Sequence, residues 1–270
     1  MAKIESALLN VSYLDILSYQ DTPVHRLDPR GKLFVTLVFI ISVISFNKYE
    51  ISGLIPFIIY PTILMSMGNV PVAYIFRQVL LAAPFAVFIG VFNPFMDRGI
   101  ILQLGSFGIS GGWVSFASIM IRFLLTATAA VVLIAVSGFN SVCMALEKMG
   151  APKVFAVQLL FLYRYIFVLG DEAARMTRAR SLRAFGNRGM GSSAFASMIG
   201  HLLLRTLDRA KRIHMAMRCR GFEGTIRVIR PMKIGGRDIS FLVGWCLLFV
   251  FMRLYNIPQW LGNLVAELMK

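Results

Sequence analysis

The feature that most constrains this chain is a succession of apolar runs separated by more polar segments. The runs are Leu33–Phe46, Ile51–Met67, Val72–Phe92, Trp113–Val136 and Ile239–Met252. A hydrocarbon core about 30 Å thick needs about 20 helical residues, and flanking residues must extend the short first run to that length. Because 57% of all residues are apolar and 15% are charged, the chain is not an ordinary soluble domain. The predicted fold class is an all-α polytopic membrane protein with about five transmembrane helices.

Two stretches depart from this simple pattern. Asn93–Gly112 contains five glycines, which predicts an irregular loop or a re-entrant segment between the third and fourth runs. Val154–Leu169 is apolar, but Arg164 lies at its centre, where burying a charge in lipid is costly. We therefore expect Val154–Leu169 to lie in or against the inner leaflet as a helix, without crossing the membrane.

Basic residues set the orientation and the predicted domains. Residues 138–238 hold 18 of the 28 lysines and arginines and six acidic residues, a net charge of +12. The positive-inside rule places this segment in the cytoplasm, and four spans before it place the N-terminus there too. The predicted domains are membrane helices in residues 1–137, a cytoplasmic or inner-leaflet coupling segment in 138–238, and a last membrane helix with a tail in 239–270. The predicted location is the inner (cytoplasmic) membrane.

The basic segment has the periodicity of two long helices after a short helix at Ser141–Met149. The first long helix runs from Pro152 to about Ala184 and meets a glycine-rich break. The second has apolar residues at steps of three and four, with Arg205, Arg209 and Arg212 marking another face. Its apolar stripe is Phe195, Met198, Ile199, Leu202, Thr206, Ala210, Ile213 and Met217.

The ends of these two helices carry similar short motifs. Ala179-Arg180-Ser181 and Cys219-Arg220-Gly221 place an arginine between small residues, 40 positions apart. A guanidinium at a helix end can bind the last free carbonyls, or it can present a planar fork to a partner's carboxylate. Periodicity alone gives docking and a merely arginine-rich helix end equal support.

The paired motifs resemble those of the T component of energy-coupling-factor transporters, a class of ABC importers. The stretch His25–Lys32 and the segments Leu146–Pro152 and Tyr163–Ile166 are also similar to that family. The length and the opening from Leu14-Asp15 to Lys32 are most like its cobalt-type, CbiQ-like members. The similarity covers roughly residues 13–255. Both motifs depart from a strict Ala-Arg-Gly, because Ser181 replaces the glycine and Cys219 replaces the alanine.

The resemblance implies an energy-coupling role and a set of partners. Two cytoplasmic ATPase subunits would bind at Ala179, Arg180, Ser181, Cys219, Arg220 and Gly221. The membrane helices would then relay the movement to a separate membrane-embedded substrate-binding component, in cobalt uptake. Nickel or a vitamin is the alternative cargo. The remaining partner is the lipid bilayer.

Other functional classes have less support from the residues. No G-x-x-x-x-G-K-[ST] loop is present to hold ATP, and no catalytic constellation suggests an enzyme. His25, His201 and His214 are scattered, so neither a metal site nor a cofactor is expected. A secondary transporter would pair acids with Arg77, Arg122 and Arg253 within the membrane, and no acid is placed to do so. The apolar stripe favours a protein partner over nucleic acid. Asp28 and Pro29 are best explained as the N-cap and first residue of the first span.

Overall fold

The computed structural model describes residues 13–96, 100–104, 107–183, 191–224 and 234–255. After a helical turn at residues 13–18, the elements in chain order are α1 (Pro29–Ile44), a 3-10 helix (Ser52–Ile58), α2 (Ile59–Met67), α3 (Val72–Gly90), α4 (Asn93–Met96), β1 (Ile100–Leu104), β2 (Phe107–Ser110), α5 (Gly111–Ser137), α6 (Phe139–Lys148), α7 (Lys153–Arg183), α8 (Ser192–Cys219) and α9 (Gly236–Leu254). The predicted all-α class is confirmed, with one short hairpin as the exception.

The chain divides into two compact units. The bundle unit comprises Leu17–Gly138 with Met232–Lys270, and the basic unit comprises Met1–Ile16 with Phe139–Pro231. The bundle unit holds the five apolar segments that the sequence predicts as membrane spans. Within it α5 packs against α1, α2 and α3, while α9 packs against α1.

The start of α1 follows the predicted capping chemistry. Asp28 is the N-cap residue, its Oδ1 accepts a hydrogen bond of 2.9 Å from the backbone N–H of Arg30, and Pro29 occupies the first helical position. One turn later Lys32 is buried, and its Nζ donates to the carbonyls of Val24 at 3.2 Å and Val136 at 3.4 Å. The beginning of α1 is therefore fixed both to the preceding loop and to the end of α5.

Two segments differ from the sequence prediction: the second apolar run, Ile51–Met67, and the glycine-rich segment Asn93–Gly112. The second run is a 3-10 helix followed by the nine-residue α2, because Pro56 and Pro61 lack the N–H that a continuous α-helix needs. Where the structure describes the glycine-rich segment between α3 and α5, the chain forms regular elements and not an irregular loop, while the re-entrant alternative stays a prediction. The segment contains α4 and an antiparallel hairpin of β1 and β2, whose backbone hydrogen bonds satisfy groups that a loop would leave open.

An aromatic cluster forms the core of the bundle unit. Phe39 of α1 lies 4.8 Å from Tyr60 of α2 and 5.5 Å from Phe249 of α9, measured between ring centroids. All three side chains are buried, and the Tyr60 hydroxyl is within 2.7 Å of Thr36 Oγ1. Tilted ring contacts of this kind add to the energy of apolar burial. The cluster joins α1 and α2 to α9, which lies far from both in sequence.

Three of the described helices are long and apolar enough to cross a membrane: α3, α5 and α7. The helix α7 contains the stretch Val154–Leu169, which the sequence places against the inner leaflet. By its length and composition alone, α7 could cross the membrane. Its placement along the leaflet stays a prediction, supported by Arg164 and by the positive charge that follows.

Candidate docking surface

Within the basic unit, a tight turn joins α6 to α7. Gly150 has φ of +114°, and its N–H donates to the Glu147 carbonyl at 3.2 Å. The N–H of Ala151 donates to the Leu146 carbonyl at 3.0 Å, which completes a Schellman motif. Pro152 then precedes α7, so the chain reverses where the sequence Gly-Ala-Pro predicts that α6 ends.

Ring stacking fixes α6 against the first half of α7. The rings of Phe139 and Tyr163 stack with centroids 4.5 Å apart, and Tyr163 meets Phe167 edge-on at 5.3 Å. The Phe139–Tyr163 stack holds the first half of α7 to the preceding helix, and the Phe167 contact within α7 supports the Tyr163 ring. The second half of α7, which carries the first arginine motif, begins beyond this contact.

An ion pair joins α7 to α8. Glu172 Oε1 accepts a hydrogen bond of 2.6 Å from Arg205 Nη1, while Oε2 accepts one of 3.0 Å from Arg175 Nη2. One carboxylate therefore links a neighbour on its own helix with an arginine on the other helix. Beside it lies an open cleft lined by further α8 side chains, including Asp208, Arg209 and Arg212. The sequence places Arg205 on a charged helix face but does not identify Glu172 as its partner. The two residues are 33 positions apart, and no local sequence pattern indicates that their helices pack together.

The first predicted motif lies in the last turn of α7. Arg180 is half-buried, while Ala179 and Ser181 are exposed. The Ser181 hydroxyl donates to the Arg178 carbonyl at 2.8 Å, three residues earlier in α7. The serine that departs from Ala-Arg-Gly thus binds the backbone of its own helix.

The second predicted motif ends α8 with a second Schellman motif. Arg220 is the C-cap residue, and Gly221 follows with φ of +78°. The Gly221 N–H donates to the Arg218 carbonyl and the Phe222 N–H to the Met217 carbonyl, both at 3.0 Å. Cys219, Arg220 and Gly221 are all exposed. The turn therefore presents Arg220 at the tip of the helix.

Phe222 determines where this tip lies along α7. Its ring centroid is 6.4 Å from that of Phe161, in the first half of α7. Arg180 follows Phe161 by 19 residues on the same continuous helix, which is about 28 Å at 1.5 Å per residue. The structure therefore keeps the two arginine motifs apart, at opposite ends of an antiparallel helix pair.

Among the residues that the structure describes, no group of three or more His, Cys, Asp or Glu side chains lies close enough together to hold a metal ion. His201 and His214 are exposed on α8. His25 lies in the loop before α1, where its Nε2 is 3.0 Å from the Leu17 carbonyl and its Nδ1 is 2.7 Å from Thr22 Oγ1.

A bundle of apolar helices combined with a pair of basic helices defines a polytopic membrane protein. The family model described as CbiQ, cobalt transport protein, matches residues 20–231. The chain belongs to this family and is a T component of energy-coupling factor transporters. Its relatives are membrane components of transporters, not a family of enzymes.

Individual relatives cover most of the chain. The energy-coupling factor transporter transmembrane protein EcfT of Heliobacterium modesticaldum is 28% identical, over 87% of this chain and 94% of its own length. The EcfT protein of Clostridium kluyveri is 25% identical, over 84% of this chain and 90% of its own length. The cobalt transport protein CbiQ of Rhodobacter capsulatus is 34% identical over 85 residues, which is 31% of this chain and 35% of that protein.

Proposed function

We propose that this chain couples two cytoplasmic ATPase subunits to a separate membrane-embedded protein that binds the substrate. Arg180 and Arg220 each dock one ATPase subunit. The observation that carries this proposal is the arrangement of the basic unit, in which two arginine-bearing helix ends lie at opposite ends of one antiparallel helix pair. Two separate sites on one helix pair suit two separate partner subunits.

The chemistry of each site suits an acidic groove. A guanidinium can bind a carboxylate with two parallel hydrogen bonds, and it stays charged at any physiological pH. Exposed small neighbours, Ala179 and Ser181 at one end and Cys219 and Gly221 at the other, leave room for a partner surface to approach. Closure of the ATPases on ATP would then displace both helix ends, and the bundle unit would pass the movement on.

Cobalt is the substrate that we propose for the whole transporter. The family model is described by cobalt transport, and the relative in Rhodobacter capsulatus is named for it. The ion would bind to the separate substrate-binding protein. In the proposed orientation the N-terminus and the basic unit face the cytoplasm, because residues 138–238 carry most of the basic residues.

The decisive experiment compares two double variants with equal charge loss. Arg180→Ala/Arg220→Ala removes the proposed docking groups. Arg178→Ala/Arg218→Ala is the matched control, because both of its exposed arginines precede a docking arginine by two residues, about 200° around the helix. Each variant is expressed with the partner genes, and ATPase copurification and cobalt uptake are measured.

We expect the first double variant to lose both ATPases and uptake, and the control to retain them. Loss of one buried, charge-assisted interface contact costs about 2–5 kcal/mol, so each single variant should weaken assembly without abolishing it. Arg→Lys at either site should also impair assembly, since lysine lacks the planar fork. Equal loss in both double variants, or retention of both activities in the first, would show that the motifs are only arginine-rich helix ends.

A further inference from the structure

An open pocket lies in the bundle unit where α1 ends. It encloses about 490 Å³ between the turn after α1, the start of α4 and the face of α5. The polar side chains in its wall are Lys48, Tyr49, Asn93, Ser115, Ser118 and Arg122. In the proposed orientation this end of the bundle faces the outer leaflet, far from the proposed ATPase sites in sequence.

The α5 side of the pocket is a polar stripe on an apolar helix. Ser115, Ser118 and Arg122 follow one another at steps of three and four, so they share one face. Ser115 and Ser118 are buried, and Asn93 Nδ2 donates to Ser115 Oγ at 3.1 Å. A stripe of this kind within an otherwise apolar helix needs polar partners.

Arg122 has a structural contact on one side of its guanidinium. Its Nη2 donates to the Asn47 carbonyl in the turn after α1. Arg253 of α9 binds the same turn, with its Nη2 2.8 Å from the Ser45 carbonyl and its guanidinium 4.3 Å from the Phe46 ring centroid. Both arginines therefore bind backbone carbonyls between the C-cap of α1 and the turn after it, although the Asn47 carbonyl also accepts from the Glu50 N–H at 3.1 Å. Only Arg122 also lies in the pocket wall, among the side chains that the structure describes there.

Two donors in the pocket wall have no acceptor. Ser118 is fully buried and its Oγ has no hydrogen-bond partner, and the Nε of Arg122 is buried without one. Buried polar groups are almost always hydrogen-bonded, because leaving one unsatisfied costs its full desolvation energy. Two such donors in one wall indicate an acceptor that binds in the pocket.

The charge of the wall indicates what kind of acceptor this is. Lys48 and Arg122 are its two cations, and its described lining includes no carboxylate. Glu50 in the turn accepts a hydrogen bond of 3.2 Å from Asn47 Nδ2 and also interacts electrostatically with Arg122, but it is not part of the described pocket lining. A group with several oxygens and a negative charge would match both the charge and the free donors.

We propose that this pocket binds a phosphate group, supplied either by the headgroup of an anionic phospholipid or by free phosphate. The helix α1 has 16 residues, about 24 Å at 1.5 Å per residue, so the turn after it lies below the surface of a hydrocarbon core about 30 Å thick. A phosphate drawn into this depression neutralises Arg122 and accepts hydrogen bonds from its Nε and from Ser118. This proposal is independent of the ATPase docking.

The test measures the unfolding midpoint of the full-length chain purified in dodecyl maltoside. One series adds potassium phosphate at constant ionic strength, and another adds dihexanoyl-phosphatidylglycerol below its micelle concentration. The variants are Arg122→Gln and Ser118→Ala, with Arg253→Gln as the matched control. That control loses an arginine bound to the same turn but keeps the pocket wall intact.

We expect at least one probe to raise the midpoint of the wild type and of Arg253→Gln. Arg122→Gln and Ser118→Ala should each need about tenfold more of that probe for the same shift, as expected for the loss of a charge-assisted or buried hydrogen bond. Without a probe, Ser118→Ala should be as stable as the wild type or more so, since it removes an unpaired hydroxyl, and it therefore tests the pocket even if Arg122→Gln fails to fold.

A shift with the lipid alone identifies a headgroup site, a shift with phosphate alone identifies a site for the free anion, and shifts with both identify the phosphate group itself. All three outcomes support the proposal. It is overturned if neither probe shifts the wild type, or if all four proteins shift equally.

Discussion

The backbone N–H of Asp28 donates to Oδ1 of Asp238 across 2.8 Å, which joins the start of α1 to the start of α9, 210 residues later in the chain. The other oxygen, Oδ2, accepts a hydrogen bond of 2.7 Å from the Gly235 N–H. One carboxylate therefore caps its own helix and holds the N-cap residue of another. This contact fixes the starts of α1 and α9 at the same end of the bundle unit.

The first prediction concerns this shared carboxylate. Asp238→Ala removes the acceptor for two backbone N–H groups, and we expect the unfolding free energy to fall by about 2 kcal/mol. Asp238→Asn keeps one acceptor oxygen and should cost less. Unfolding midpoints of the purified chain in detergent measure the effect, with Asp171→Ala, an exposed acid on α7, as the control. An equal effect of Asp171→Ala would contradict the assigned role.

The second prediction concerns the turn that presents Arg220. Gly221 has φ of +78°, and a Cβ there would meet no atom within 4 Å, so the cost of an alanine is conformational and not steric. Gly221→Ala should destabilise the chain by about 1 kcal/mol and weaken ATPase binding, while Gly221→Asn should be milder, because asparagine tolerates this region.

Gly200 offers a control for this prediction within the same helix. It lies inside α8, where a Cβ would likewise meet no atom within 4 Å. Gly200→Ala should therefore stabilise the helix, by up to about 1 kcal/mol. Thermal unfolding that shows the same sign for the two alanine variants would contradict the cap assigned to Gly221.

The third prediction is a pH dependence of stability from the loop before α1. Burial, and then the nearby charge of Lys32, lower the pKa of His25 below its ordinary value of 6.5. The unfolded chain thus binds a proton at a higher pH than the folded chain does. This contribution to stability is fully present above pH 6.5 and declines as the pH falls below it.

Midpoints measured between pH 8 and pH 5 check this expectation. The wild type should lose stability below about pH 6.5, and His25→Gln, which keeps a donor for the Leu17 carbonyl, should lose less. The ion pair of Asp21 and Arg26 lowers the pKa of Asp21 below 3.8, so its effect falls at more acidic pH and does not interfere. Identical profiles for the two proteins would exclude His25 as the cause.

The fourth prediction tests orientation with a native residue. Cys219 is exposed beside Arg220, whereas Cys143 is buried. In the proposed orientation a membrane-impermeant maleimide should label Cys219 in inside-out vesicles and not in right-side-out ones. Cys219→Ser is the control for labelling at Cys246. Labelling of Cys219 only from the outer face would invert the proposed topology.

The sequence predicted several helices and their ends well, because apolar periodicity and capping residues act within a few positions of one another. The apolar stripe from Phe195 to Met217 lies within α8, and the Gly-Ala-Pro signal marks the turn after α6. The N-cap role of Asp28 is confirmed, since its Oδ1 accepts from the Arg30 N–H. The loop predicted after α3 was wrong for Ile100–Leu104 and Phe107–Ser110, which pair as β1 and β2.

Long-range partners could not be predicted in this way. The sequence places no acid to pair with Arg122 or Arg253. In the structure, both arginines bind backbone carbonyls in the turn after α1. A carbonyl has no signature in the sequence, and its availability depends on where a helix ends in three dimensions. The same holds for the pairing of Glu172 with Arg205, which requires two helices to meet.

The ion pair between Glu172 and Arg205 divides the helix pair into unequal arms. Arg180 lies eight residues beyond Glu172 on α7, and Arg220 lies 15 residues beyond Arg205 at the end of α8, about 12 Å and 22 Å at 1.5 Å per residue. A rotation of the two helices about this contact would move Arg220 nearly twice as far as Arg180. If the two proposed ATPase subunits close by the same amount, they would therefore displace the two helix ends by different distances.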